Sequence, residues 1–139
     1  MTRILRVLPT AVRCVVAMVL VEVLIRSDLP SLARRMGVPL QLDGTDTVYR
    51  PGNVTVLDDA DLRALRVFQR LDRFWWSSTC LRRALVAGHL LRAHGPRLVI
   101  GVRKPPGRPL TAHAWLRVDG AALDEAALDY APLADGPAR

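Results

Sequence analysis

The sequence predicts an α+β fold, with a helical N-terminal part followed by a core in which a helix packs on a small antiparallel sheet. Three observations predict it. Apolar residues recur at helical spacing up to Ala93, period-two alternation replaces that spacing after Pro96, and Asp119-Gly120 marks a tight hairpin between apolar segments. At 139 residues, half of them hydrophobic, the chain is long enough for one core and too apolar for disorder.

Pro9 to Met36 reads as one or two helices broken near Ser27-Asp28-Leu29-Pro30. Ser27 or Asp28 can cap the second helix, with Pro30 in its first turn, and Gly37 and Pro39 end it. Val12–Ile25 is almost entirely apolar and follows Arg3 and Arg6. Arg13 and Glu22 interrupt it, and the uncharged run Cys14–Val21 is far shorter than the roughly 20 residues a membrane span needs. No small-residue cleavage site follows, so a signal peptide is a poor fit. A buried helix is expected, with peripheral contact at a membrane surface as the alternative. Leu42–Leu57 holds Asp43-Gly44 and Pro51-Gly52-Asn53 and reads as a connector. It separates a helical segment (with the connector, 1–57) from a core (58–139) within one compact unit.

Asp58-Asp59 opens an amphipathic helix. Leu62, Leu65, Phe68 and Leu71 share one face, and Arg63, Arg66, Arg70 and Arg73 the other. It runs toward Phe74-Trp75-Trp76, after which Ser78 is expected to cap the next helix, Thr79–Ala93. Gly88 inside that helix costs about 1 kcal/mol against alanine, which close approach of another element would explain. Gly95-Pro96 stops the helix. Arg97–Arg103 and Leu110–Val118 read as strands joined by a stiff cationic loop, and Ala121–Asp124 as the returning strand. From Ala126 a short helical turn is expected before Pro132.

The formal net charge is +7, carried by 19 arginines and a single lysine, Lys104. The arginines are spread over every segment, with no homeodomain, zinc-finger or RNP pattern, so nucleic acid is not expected as a partner. Cys14 and Cys80 form no CxxC, and His89, His94 and His113 form no HExxH, so no metal site is expected. Without a disulfide framework, a reducing cytoplasm is the expected compartment.

Cys80 and His113 carry the chemistry. A free thiol is only a few per cent thiolate at neutral pH. With Ser78 as cap, Cys80 falls on the first helical turn, where unpaired backbone N–H groups and the helix dipole favour an anion. The same N–H groups can bind the oxyanion of a tetrahedral intermediate. His113, Trp115 and Arg117 alternate onto one strand face. A two-residue turn at Asp119-Gly120 puts Asp124 on that face; a three-residue loop with a bulge puts Glu125 there instead. The carboxylate would hold the imidazole tautomer and stabilise its cation. Trp75, Trp76 and Trp115 are the aromatic candidates for a substrate groove, although packing over the helix start serves Trp75 and Trp76 equally well. Cys14 reads as a core residue, His89 as a helix-side residue, and His94 as a cation at a helix C-terminus. Arg103, Lys104 and Arg108 read as a solvated loop.

Cys80-Leu-Arg-Arg-Ala-Leu, Leu90-Leu-Arg-Ala-His-Gly95, Leu98-Val-Ile-Gly-Val-Arg103 and Ala112-His-Ala-Trp-Leu-Arg-Val-Asp-Gly120 together resemble the lasso-peptide leader peptidases. These are stand-alone, transglutaminase-like cysteine proteases of bacterial lasso-peptide biosynthesis, with a transglutaminase/papain-like core. The resemblance covers about Cys80 to Glu125. It implies a Cys-His-Asp triad, with Cys80 and His113 matching directly. The family's aspartate position, twelve residues after the histidine, is Glu125 here, and Asp124 lies one residue earlier. Either carboxylate could orient His113.

The resemblance implies cleavage of the leader from a ribosomally made precursor peptide before macrolactam closure, without metal or organic cofactor. It also implies a separate leader-recognition protein and a macrolactam cyclase as partners, with the helical N-terminal part as a docking surface. Two other readings use the same residues: amine acyl transfer of the transglutaminase type, and a non-catalytic peptide-binding module in the same biosynthetic complex.

Overall fold

A computed structural model describes residues 2–43, 48–49 and 57–134. Asp28 has extended backbone and its carboxylate accepts the Ser31 N–H at 3.0 Å. That cap separates α1 (Thr2–Leu24) from α2 (Leu29–Arg35) and selects Asp28 over Ser27. α3 (Asp59–Asp72) starts on a reciprocal capping box, with Asp61 N–H donating to Asp58 at 2.8 Å and Asp58 N–H to Asp61 at 3.1 Å. α4 (Cys80–Leu90) is followed by a 3₁₀ turn at Arg92–His94 and a left-handed Gly95. The single helix expected to Ala93 therefore tightens in its last turn.

The strands are β1 (Val48–Tyr49), β2 (Arg97–Arg103), β3 (Thr111–Val118), β4 (Ala121–Ala122) and β5 (Ala131–Pro132), with a 3₁₀ turn at Glu125–Asp129. They form one sheet in the order β1-β4-β3-β2-β5, antiparallel except for the parallel β1–β4 pair. Asp119 and Gly120 both have positive φ, 50° and 75°, so β3 and β4 are joined by the two-residue turn. The resulting register pairs Arg117 with Ala122 and Val118 with Ala121.

Three expectations are corrected. The returning strand ends at Ala122 rather than Asp124, because Asp124 turns its carboxylate onto the Ala126 N–H at 2.9 Å and caps the 3₁₀ turn. Part of the connector, Val48–Tyr49, is a strand, whereas Gly44 and Pro51-Gly52-Asn53 lie outside the described residues. The α1 helix is only half buried. Cys14, Ala17 and Val21 are fully inaccessible, while Leu8, Val12, Val16, Val19 and Val23 lie exposed on the opposite face. Among the described residues no helix is long and apolar enough to cross a membrane.

The main core joins the inner faces of all four helices to Leu98, Ala114 and Leu116 of the sheet. α4 alone contributes Leu85, Val86 and Leu90, each worth about 1.5–3 kcal/mol when fully buried. A Cβ at Gly88 would collide with the Val38 and Leu116 side chains, so glycine is what lets α4 lie against the sheet. A smaller cluster of Val99, Trp115, Ala122 and Ala127 fills the other sheet face, with Tyr130 against it. The sheet is thus covered on both sides, and α4 is pinned with its N-terminus toward β3 and the 3₁₀ turn that follows β4.

Candidate active site

Thr79 caps α4 in place of the expected Ser78. Its backbone is extended, with φ −129° and ψ 163°, and its hydroxyl accepts the Arg82 N–H at 3.3 Å. Cys80 becomes the first helical residue, and the first helical bond is that of Arg83 N–H to Thr79 C=O at 2.9 Å. The N–H groups of Cys80 and Leu81 precede that bond and are not used within the helix. Ser78 is occupied elsewhere, since it donates a short hydrogen bond to Asp72 and accepts one from Arg83 Nε at 2.9 Å.

Two carboxylates outside α4 hold its start in place. Asp72, at the end of α3, pairs with Arg83 at 2.7 Å. Glu22, on α1, accepts from Ser77 Oγ at 2.6 Å and from Arg82 Nε at 2.9 Å. The Ser77 hydrogen bond first, and the Arg82 guanidinium with it, hold the Glu22 carboxyl below the usual carboxylate range. The segment before Cys80 is therefore tied to both helices that flank it. Sequence reasoning missed this clamp, because its partners lie as far as sixty positions apart, as in Glu22–Arg82.

His113 sits in the middle of β3 and Asp124 just beyond β4. Past the last pairs of the hairpin, Arg117–Ala122 and Val118–Ala121, the Leu123 N–H still donates to the Leu116 carbonyl at 3.0 Å, which brings the following Asp124 back toward His113. His113 Nε2 and Asp124 Oδ2 are 2.6 Å apart, and the other carboxylate oxygen is held by the Ala126 N–H. Among the described residues Nδ1 of His113 has no hydrogen-bond partner. Glu125 is exposed on the 3₁₀ turn and makes no side-chain hydrogen bond among the described residues. His113 also packs between Trp115 (ring centroids 6.0 Å, stacked) and Tyr130 (5.1 Å, tilted). Arg103 lies over the Tyr130 ring at 5.0 Å and pairs with Asp129 at 3.6 Å, so it belongs to the packing behind the histidine and not only to a solvated loop.

Cys80, His113 and Asp124 line one cleft of about 450 Å³, walled by Leu65, Phe68 and Arg73 of the α3 region and by Ala84 and Ala87 of α4. Cys80 Sγ has no hydrogen-bond partner among the described residues. Thiol and imidazole line the same cleft with no hydrogen bond between them, and in free enzymes catalytic hydrogen bonds are commonly long until substrate binds. None of the three tryptophans lines this cleft. Trp75 is buried in the main core, Trp115 is buried under His113, and Trp76 is exposed beside α1.

The remaining histidines and cysteine lie outside the cleft. His89 Nδ1 is 3.0 Å from the Met36 carbonyl, and His94 Nε2 is 2.7 Å from Asp61. Cys14 is inaccessible, its thiol directed at the Ala64 carbonyl at 3.7 Å, and burial pushes that thiol up. Among the described residues no group of three His, Cys, Asp or Glu side chains could hold a metal ion.

The α+β fold brings a helix-start thiol, a histidine of β3 and the Asp124 carboxylate beyond β4 to one cleft, the residue types that thiol-mediated acyl chemistry uses. The family comparison agrees with that class. The model of the transglutaminase-like superfamily matches residues 31–135, most of the chain, and the protein belongs to that superfamily. No curated protein and no solved structure matches the chain significantly.

Proposed function

We propose that this protein is a cysteine peptidase that cuts the leader from a ribosomally made lasso-precursor peptide before macrolactam closure. The observation that carries the reading is the shared cleft, with Cys80 on the first turn of α4 and the His113–Asp124 pair beside it.

In this mechanism Cys80 attacks the carbonyl of the leader–core amide, and the developing oxyanion is met by backbone N–H groups at the start of α4. Asp124 fixes Nε2 of His113, so Nδ1 takes the thiol proton and passes it to the leaving amine of the core peptide. A thioester between the leader carbonyl and Cys80 Sγ remains. Water, deprotonated by His113, hydrolyses it and restores the thiol. The residues supply every step.

A separate leader-recognition protein would hold the precursor, and the cyclase would take the freed core. The apolar stripe of α1, with Phe74 (84% exposed) and Trp76 (94% exposed) beside it, supports a docking face for the recognition protein. The free thiols of Cys14 and Cys80 are consistent with a reducing cytoplasm.

The test is mass spectrometry of precursor peptide incubated with this protein and the recognition protein. One cut at the leader–core bond, absent with Cys80→Ala, supports the peptidase. An intact peptide with wild type, or a cut that survives Cys80→Ala, overturns it. Capture of the acyl group by an added amine in preference to water would instead point to transglutaminase-type transfer.

A further inference from the structure

Among the described residues, the arginines at the start of α4 and behind His113 are paired: Arg82 with Glu22, Arg83 with Asp72 and Arg103 with Asp129. Arg66, Arg70 and Arg73 stand apart from these pairs. All three are exposed on one side of α3 and its C-cap, and none makes an ion pair among the described residues. Together with Gln69 they line a depression of about 260 Å³ that contains no carboxylate. Gln69 and Arg73 line the Cys80 cleft as well, so the basic depression adjoins the candidate active site. The acids of that cleft cannot neutralise it, because Asp72 is held by Arg83 and Ser78, and Asp124 is held by His113.

We infer that Arg66, Arg70 and Arg73 form a specificity wall that takes an acidic stretch of the peptide substrate as it enters the cleft. This rests on the reading of the cleft as a peptide-cutting site. Planar guanidinium groups present paired N–H donors that match carboxylates, which suits acidic side chains better than backbone or apolar groups. The spacing fits an extended peptide. Arg66 and Arg70 are one helical turn apart, about 6 Å along the axis. Alternate side chains of an extended chain lie about 6.8 Å apart on one face. Arg66 to Arg73 covers about 10 Å, the length of about three extended residues. The preferred substrate therefore carries acids two positions apart, close to the scissile bond.

The test measures binding and cleavage separately. The full chain with Cys80→Ala is titrated by fluorescence anisotropy with a short labelled peptide carrying glutamates at alternate positions, and with its glutamine counterpart. At about 30 mM salt the glutamate peptide should bind about fivefold tighter or more, and at about 500 mM the difference should collapse. Adding R66E, R70E and R73E should erase the preference, with circular dichroism confirming that α3 is intact. Equal binding of the two peptides, or a preference that survives the triple change, overturns the inference. The otherwise wild-type chain, with and without the triple change, is then given a peptide pool. Cleavage without acidic preference removes the specificity wall and keeps the peptidase. Glutamate-selective binding without any cleavage keeps the wall and removes the peptidase.

Discussion

The molecule contains the same pair twice. His113–Asp124 and His94–Asp61 are both Nε2–carboxylate contacts, at 2.6 and 2.7 Å, and both are part-buried. Their surroundings separate them. Asp61 already closes the capping box of α3, so its bond to His94 ties the 3₁₀ turn after α4 to the start of α3. Asp124 caps only a five-residue 3₁₀ turn, and its histidine opens onto a cleft that also holds a half-buried cysteine. The two histidine–carboxylate pairs thus differ in what surrounds them, one joining two elements and the other bordering a cleft. The two cysteines repeat the contrast, Cys14 in mid-helix and sealed, Cys80 at a helix start and lining the cleft.

The largest predicted separation is in activity. His113→Ala should remove peptide cleavage by about 10⁴-fold, while His94→Ala should leave kcat within about twofold. In the same assay Asp124→Asn should cost about 10²-fold or more, and Glu125→Gln almost nothing. A large loss with Glu125→Gln would move the orienting role to the other carboxylate and break the comparison.

Thiol labelling should separate the two cysteines. Under native conditions iodoacetamide should modify Cys80 about 100-fold faster than Cys14, which must wait for local opening. Peptide mapping after a short pulse reads the ratio, and equal labelling would contradict the burial that distinguishes the two sites.

The structural pair should show itself in stability. Asp61→Ala removes a capping partner and the His94 contact together, so thermal or urea unfolding should report a loss of about 1–2 kcal/mol with cleavage retained. Asp124→Asn should shift unfolding by less than that.

The smallest effect concerns the clamp before Cys80. Because the folded Glu22 carboxyl is held below its unfolded value, its contribution is present above the unfolded pKa and is lost as pH falls through the folded one. With the side chain 37% exposed, solvent screening keeps the contribution below about 1 kcal/mol. Glu22→Gln should therefore flatten the acid limb of the stability–pH curve slightly. A steeper acid limb would contradict the sign.

What could be read from the sequence follows from how local each determinant is. The Asp58-Asp59 start, the Asp119-Gly120 turn and the alternation of β3 each lie within a few residues, and they placed α3 and the hairpin. The choice between Asp124 and Glu125 depended on one residue of turn length, and the observed two-residue turn puts Asp124 against the imidazole. The Ser78 expectation failed because a distant acid, Asp72, competes for that hydroxyl and leaves the cap to Thr79. The exposed face of α1 was hidden for a similar reason. Valines at Val12, Val16, Val19 and Val23 look identical to core residues until the packing of Cys14, Ala17 and Val21 fixes which side turns inward. Tyr130 behind His113 and strand β5 depend on chain return from far away and left no periodic signal.

The most direct test of the central claim is intact-protein mass spectrometry of a rapidly quenched reaction with precursor peptide. The expected result is a transient species heavier by the mass of the leader fragment less one water, mapped to Cys80 and absent with Cys80→Ala. Leader release with no such adduct, at an undiminished rate in Cys80→Ala, would contradict it.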